Sequence, residues 1–178
     1  MKHLAKLLFV VIMTSIAGTA FAQNLKFGHI NLQEIVPLMT EYDSAEVKLK
    51  GLAKELEEQI KTMQLELQTK YETYQQKATT WSATTLESKR KELEELQMRI
   101  QDFQQGAQQE LQQAQNIGMT DVINIAKAAV EKIAKQDGYT FIFDTSTLLY
   151  LNPAQSTDVT AVVKKALNIT KEFPTRAN

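Results

Sequence analysis

Residues able to carry out acid–base or metal chemistry are few and poorly spaced in this chain. Glu57-Glu58 and Glu94-Glu95 are paired carboxylates, but neighbouring side chains on a helix point about 100° apart, so neither pair favours a shared acid–base site. His29 lies in a strand-like segment without candidate partner ligands, so a structural role is favoured over metal binding. The absence of Cys excludes thiol catalysis, disulfides and Cys zinc sites. We therefore expect a protein that is not an enzyme, with no catalytic residues, no metal and no cofactor.

The composition favours long secondary-structure elements over a loop-rich fold. The 178 residues include only 6 Gly and 3 Pro, so the chain has few turn formers. The 20 Lys and Arg nearly balance 21 Asp and Glu. This neutral balance gives no reason to expect nucleic acid as a partner.

The N-terminus has the pattern of a secretory signal. Lys2 and Lys6 precede an apolar run over 7–13, and Ala20-Phe21-Ala22 fits a small-x-small cleavage site. We expect residues 1–22 to be removed after Ala22, so that the mature chain is exported. The alternative is an uncleaved membrane anchor, but the run is shorter than the roughly 20 apolar residues that span a bilayer.

Residues 44–135, which we call the arm, are predicted to form a long antiparallel pair of helices. Apolar residues recur at steps of three and four in two successive stripes, from Leu49 to Ala78 and from Ile100 to Ile133. The reversal is expected within 79–85, where poor helix formers cluster. Each stripe is narrow, so a helix of this kind buries one seam and leaves the rest in water.

Residues 23–43 and 136–170, which we call the body, are predicted to form short strands and a small helix. Strands are expected at 26–32, 139–144 and 148–151, the last two as a hairpin. A helical turn opened by Asn31 and stopped near Pro37 should follow the first strand, and Thr157 or Asp158 should cap the last helix. The fold class is thus α+β. Candidate core and contact residues of the body are Phe27, Ile30, Phe141, Phe143, Leu149, Val159 and Val163.

Three short strands form a small core with open sheet edges, which favours a symmetric oligomer in which copies of the chain close the sheet. The alternative is a monomer whose strands are covered by its own terminal helix. Gly51 and Gly118 interrupt the arm near the body. A hinge and close helix packing are equally compatible with these glycines.

Two features near the predicted end of the arm suggest contact surfaces. Lys89-Arg90-Lys91 and Arg99 form a basic patch that suits transient contact with a membrane or lipopolysaccharide. The surrounding glutamates instead favour an ordinary face of i,i+4 ion pairs. Trp81 at the turn is equally compatible with a contact point and with local packing.

The order of these elements resembles the Skp/OmpH family of periplasmic chaperones. The resemblance is carried by K-F-G-H-I-N-L at 26–32 and by the run 139–167, with F-I-F-D, then L-Y, then D-V-T-x-x-V. It implies a homotrimer with a small β-barrel body and three helical arms around a cavity. It also implies periplasmic localisation and ATP-independent holding of unfolded outer-membrane proteins.

The arm departs from the strongly basic arms of well-known family members. Residues 44–135 hold 13 basic and 14 acidic residues. We therefore expect many weak apolar contacts with clients rather than electrostatic attraction, and no lipopolysaccharide site can be carried over. Candidate client-contact residues are Met63, Tyr71, Tyr74, Trp81 and Phe103. The competing hypothesis is a structural coiled-coil spacer or adaptor that binds a folded envelope partner at Trp81.

Overall fold

The computed structural model describes residues 25–172. The predicted signal segment 1–22 and its cleavage site lie outside the described residues. In chain order the elements are strand β1 (Phe27–Ile30), the short helix α1 (Leu32–Ile35), the long helices α2 (Thr40–Lys77) and α3 (Ala83–Asp137), strands β2 (Phe141–Asp144) and β3 (Thr157–Asp158), and helix α4 (Thr160–Ala166). Short 3-10 turns occupy Val36–Leu38, Thr145–Thr147 and Pro153–Gln155.

Helices α2 and α3 form the predicted hairpin, and the chain reverses between Lys77 and Ala83. Ser82 opens α3 because its hydroxyl accepts a hydrogen bond from the Thr85 N–H at 3.2 Å. Gly138 ends α3 in the left-handed conformation, with φ of 71°. Its backbone N–H donates to the Ala134 carbonyl, as expected for a helix end of this kind. Both ends of α3 therefore follow from local capping.

The three strands form one open, parallel sheet in the order β2-β1-β3. This arrangement corrects one prediction, because 148–151 is not a strand and no hairpin joins it to 139–144. The sheet of one chain is open, and the barrel that the resemblance implies, shared by three chains, stays a prediction. The pairing of β2 with β1 is parallel because α3 ends beside the start of β1, where the Lys26 ammonium donates to the Asp137 carbonyl at 2.9 Å. Strand β2 therefore begins at the same end of the sheet as β1.

The predicted strand at 148–151 is wrong because the chain turns sharply after β2. The Asp144 carboxylate accepts a hydrogen bond from the Ser146 N–H at 3.0 Å, and the Thr147 hydroxyl donates to the Asp144 carbonyl at 3.0 Å. This capped turn ends the strand. The other edge of β1 is taken by β3, whose residues Thr157 and Asp158 were predicted only as helix caps. Asp158 also accepts a hydrogen bond from the Thr160 N–H at 2.8 Å, which helps to start α4.

The core lies where one face of the sheet, α1, α4 and the bases of α2 and α3 meet. Ile30, Ile35, Met39, Val159 and Val163 are fully buried there. Val122, Ala126 and Ile133 of α3 join the same cluster. Helix α4 therefore covers one face of the sheet. This is part of what the alternative of a monomer, with its strands covered by its own terminal helix, predicted. On the other face Phe141 and Phe143 remain exposed, and β2 and β3 are the edge strands of the sheet formed by the described residues.

Candidate functional site

The outer face of the sheet carries a cluster of three aromatic rings. Phe27 of β1 lies 6.2 Å from both Phe141 and Phe143 of β2, and the last two rings are 5.9 Å apart. Phe141 and Phe143 are exposed, and beyond them Leu149 is fully exposed in the loop between β2 and β3. The body candidates thus divide into two groups. Ile30, Val159 and Val163 belong to the core of one chain, whereas the phenylalanines and Leu149 form an open apolar surface.

His29 lies on the same outer face and has a partner that sequence reasoning missed. Its Nδ1 lies 2.9 Å from the Ser156 hydroxyl, across 127 residues of chain. The Asp158 carboxylate sits nearby at the start of α4, where the hydrogen bond from Thr160 holds its pKa below the ordinary value. These contacts tie β1 to the segment that enters β3. A serine beside a histidine was not detectable from spacing, because the two are distant in sequence.

The tip of the arm is packed by its own aromatic residues. The Trp81 and Tyr74 rings meet edge to face with centroids 6.1 Å apart. Trp81 is half-buried by this packing. The structure therefore shows local packing of Trp81 while leaving part of the ring accessible.

Behind the tip, a groove of about 570 Å³ opens between the two helices. We call it the distal groove. Its apolar lining consists of Leu67, Tyr71 and Tyr74 from α2 and Leu93 from α3. Tyr71 is 53% exposed, so much of its ring is accessible in this groove. Two of the five client-contact candidates are thus brought together, whereas Met63 and Phe103 are half-buried elsewhere along the arm.

A second groove, of about 620 Å³, lies at the root of the arm near the body. We call it the root groove. Its apolar lining includes Leu49, Leu52 and Ile125, and its charged lining consists of Glu41, Lys48 and Asp121.

The two glycines proposed as hinges differ in their surroundings near the root of the arm. A Cβ at Gly118 would lie 3.4 Å from that of Ala45, at van der Waals contact, whereas a Cβ at Gly51 would meet nothing within 4 Å. A Cβ would therefore fit at both positions, so close packing requires glycine at neither, although the two helices approach more closely at Gly118.

The basic patch is an ion-pair face, as the surrounding glutamates predicted. Arg90 donates to Glu87 at 3.0 and 2.7 Å and to Glu94 at 2.6 Å, which raises the Arg90 pKa. Lys89 lies 2.7 Å from Glu92. The basic side chains of 89–91 are thus engaged with neighbouring carboxylates, which weakens the expectation of contact with anionic lipid.

One ion pair links the two helices of the arm. The Lys70 ammonium of α2 donates to the Glu92 carboxylate of α3, which also accepts from Lys89. These hydrogen bonds lower the Glu92 pKa to about 2. The pair links the two helices beside Tyr74, Trp81 and Leu93, and it remains partly exposed to solvent.

Between residues 25 and 172, no cluster of three or more His, Asp or Glu side chains is arranged to hold a metal ion. None of the helices in that range is both long enough and apolar enough to cross a bilayer. The described residues provide surfaces for binding, namely the aromatic face of the sheet and the distal and root grooves of the arm.

Comparison with known proteins gives the class to which this architecture belongs. Residues 26–167 match the family described as outer membrane protein (OmpH-like), and the chain belongs to this family of chaperones. A curated relative is the chaperone protein Skp of Yersinia enterocolitica, 26% identical over 155 residues that cover 85% of this chain and 91% of the relative. The fold is similar to the crystal structure of a protein described as an OmpH-like outer membrane chaperone from Caulobacter crescentus CB15. That match has a TM-score of 0.66 and 18% identity, and it covers 84% of this chain and 89% of that one.

Proposed function

We propose that this protein is an ATP-independent periplasmic holdase that binds unfolded outer-membrane proteins and prevents their aggregation. The observation that carries the proposal is the arm itself. It is a hairpin of 38 and 55 helical residues projecting from a small body, with exposed apolar side chains along its length. Membership of the OmpH-like chaperone family supports the same function. The signal pattern at 1–22 supports export to the periplasm.

The open sheet supports assembly into a homotrimer. Exposed strand edges and apolar sheet faces normally pair with another chain. The cluster of Phe27, Phe141 and Phe143, together with exposed Leu149, provides the apolar surface for that contact. In a trimer with a shared body, three arms would stand around one cavity. The cavity would confine a client while leaving it unfolded.

Clients would be held by many weak contacts rather than by charge. The basic side chains near the tip are engaged in ion pairs with neighbouring glutamates, so little free positive charge faces a client there. Half-buried and exposed apolar groups on the arm are the candidate contacts, namely Met63, Tyr71, Tyr74, Trp81 and Phe103. Several weak contacts from three arms add up through effective concentration. Such binding needs no nucleotide and releases its client readily.

The test is suppression of aggregation with a urea-denatured outer-membrane protein that is diluted into buffer without ATP. We expect light scattering to fall in proportion to added chaperone, and the purified mature chain to have the mass of a trimer. Several unrelated β-barrel clients should be protected. A folded, water-soluble protein serves as the control and should not bind.

The result that would contradict the proposal is unchanged client aggregation at a molar excess of the protein. Binding of one folded envelope protein with fixed stoichiometry would instead favour the spacer or adaptor. A mature chain that stays monomeric at micromolar concentration would remove the cavity and with it the proposed mode of holding.

A further inference from the structure

We propose that the distal groove is a peptide-binding site for an extended, uncharged segment whose aromatic or aliphatic side chains alternate with small polar ones. The inference deepens the proposed function and depends on it, because the segment is taken to belong to an unfolded client. The site is built from the apolar floor of Leu67, Tyr71, Tyr74 and Leu93, with amides of Gln64 and Gln97 beside it.

The floor is suited to aromatic and aliphatic side chains. Tyr71 is 53% exposed and shares the groove with Tyr74, whose ring is supported from behind by Trp81. Tyrosine offers a large rigid apolar surface with a polar end and loses little conformational entropy on binding. Burial of an apolar side chain in the groove is therefore favourable and does not require the arm to reorganise.

The charges at the groove do not favour a charged occupant. Arg90 and Glu94 both line it, and they are hydrogen-bonded to each other at 2.6 Å. Arg90 also donates to Glu87 at 2.7 Å. The lining thus carries one positive and one negative side chain that are already paired, so it gives neither a lysine nor a carboxylate a net electrostatic gain to offset the water that it loses. A neutral segment fits this lining better.

The dimensions and the amides indicate an extended backbone. Gln64 to Tyr74 spans about 15 Å of helix at 1.5 Å per residue, which matches about five residues of an extended chain. An extended chain exposes backbone N–H and C=O groups that need partners. Each glutamine amide carries both donors and an acceptor. Because side chains alternate on such a chain, every second one faces the floor, which is the pattern of a membrane-spanning β-strand.

The single tryptophan of the chain provides the measurement. Trp81 packs on Tyr74, so its fluorescence should respond when the groove fills. The probe is a synthetic peptide of about eight residues in which Tyr and Leu alternate with Ser and Asn. We expect saturable binding that is weakened about tenfold by Tyr71→Ala, since a central aromatic contact of this kind is commonly worth that much. Leu65→Ala is the matched control, since Leu65 lies on the same helix, outside the groove, and is 55% exposed.

Two further peptides and two further measurements complete the design. A peptide in which Lys and Asp replace the polar residues, and a peptide of the same composition without alternation, should each bind about tenfold more weakly than the alternating neutral peptide. Circular dichroism should show equal helix content in wild type, Tyr71→Ala and Leu65→Ala. Client aggregation is measured on the same protein preparations.

The outcomes separate the site from the function. Equal peptide binding by Tyr71→Ala and Leu65→Ala, or equal binding of the charged peptide, would overturn the groove proposal even if the wild type still protects clients. Tyr71-dependent binding of the neutral peptide by a protein that protects no client would support the groove as a peptide site and refute the holdase function. If the wild-type protein neither binds the neutral peptide nor protects clients, both the groove proposal and the holdase proposal are refuted.

Discussion

The body and the arm bury their apolar residues in different ways. In the body, a few short elements enclose Ile30, Ile35, Met39, Val159 and Val163 completely. Along the arm, two long helices bury only single seam residues such as Leu56, Leu96 and Ile100. Because stability follows buried apolar area, the body anchors the fold. In the arm, the two helices are paired through a narrow buried seam, and the rest of their surface is available for contact. Because few residues are buried there, the arm should also open locally more readily than the body.

The largest expected effect comes from the centre of the body. Ile35→Ala removes a fully buried side chain and should lower the free energy of unfolding by about 3 kcal/mol. Urea denaturation monitored by circular dichroism, at a fixed protein concentration, measures this change in the free energy of unfolding. Leu56→Ala is the arm counterpart, also buried, and should cost about 2 kcal/mol because the solvent-lined seam can close around the gap. A larger loss for Leu56→Ala than for Ile35→Ala would contradict the comparison.

Two glycine substitutions should act in opposite directions. Gly138 ends α3 with φ of 71°, so Gly138→Ala should destabilise the protein by about 1 kcal/mol. Gly51 lies inside α2 with open space around it, so Gly51→Ala should stabilise by about 0.5–1 kcal/mol. Thermal unfolding of the two variants beside wild type gives both signs in one experiment. A gain in stability for Gly138→Ala would show that its left-handed conformation is not required.

The smallest effect concerns the ion pair between the arm helices, because exposed pairs contribute little. The pKa of Glu92 is lowered to about 2 from 4.5. Its contribution to stability is therefore complete above pH 4.5 and lost as the pH falls towards 2. Glu92→Gln should be slightly less stable than wild type at pH 7, and the difference should vanish near pH 2.

A matched control for the ion pair is Glu58→Gln, which removes a pair within α2. Glu58 lies 3.8 Å from Lys54, and both side chains are highly exposed. The stability difference from wild type at pH 7 should therefore be smaller for Glu58→Gln than for Glu92→Gln. A Glu92→Gln difference that persists unchanged from pH 7 to pH 2 would mean that the Lys70 contact does not stabilise the arm.

Much of the arm could be predicted because its signals are local. The stripe of apolar residues at steps of three and four predicted both helices, and the poor helix formers of 79–85 predicted the reversal between Lys77 and Ala83. The start of α2 at Thr40 lies before the predicted start of the arm at 44, and no side chain caps it. The candidate site was only partly predictable. Tyr71 and Tyr74 were identified as apolar arm residues, but their joining with Leu93 depends on how α2 and α3 align. That alignment brings together residues about twenty positions apart across a turn.

In the body, prediction failed where local patterns compete. Leu148 to Leu151 has the composition of a strand, yet the Asp144 cap turns the chain away and β1 pairs instead with Thr157 and Asp158. The polar pair at 157–158 has no strand-like pattern. The serine beside His29 was likewise hidden by its distance along the chain.

The amino-acid sequence alone determined the two long helices and the region where the chain reverses, because helix periodicity acts within a few residues. The family was predicted from the resemblance of the segments 26–32 and 139–167 and of the order of the elements. Only the tertiary structure decided the parallel order of the strands, the open aromatic face of the sheet and the groove behind the tip. These features arise from contacts between distant segments. Their formation depends on the packing of the whole body and on the alignment of the two helices, for which no local pattern is available.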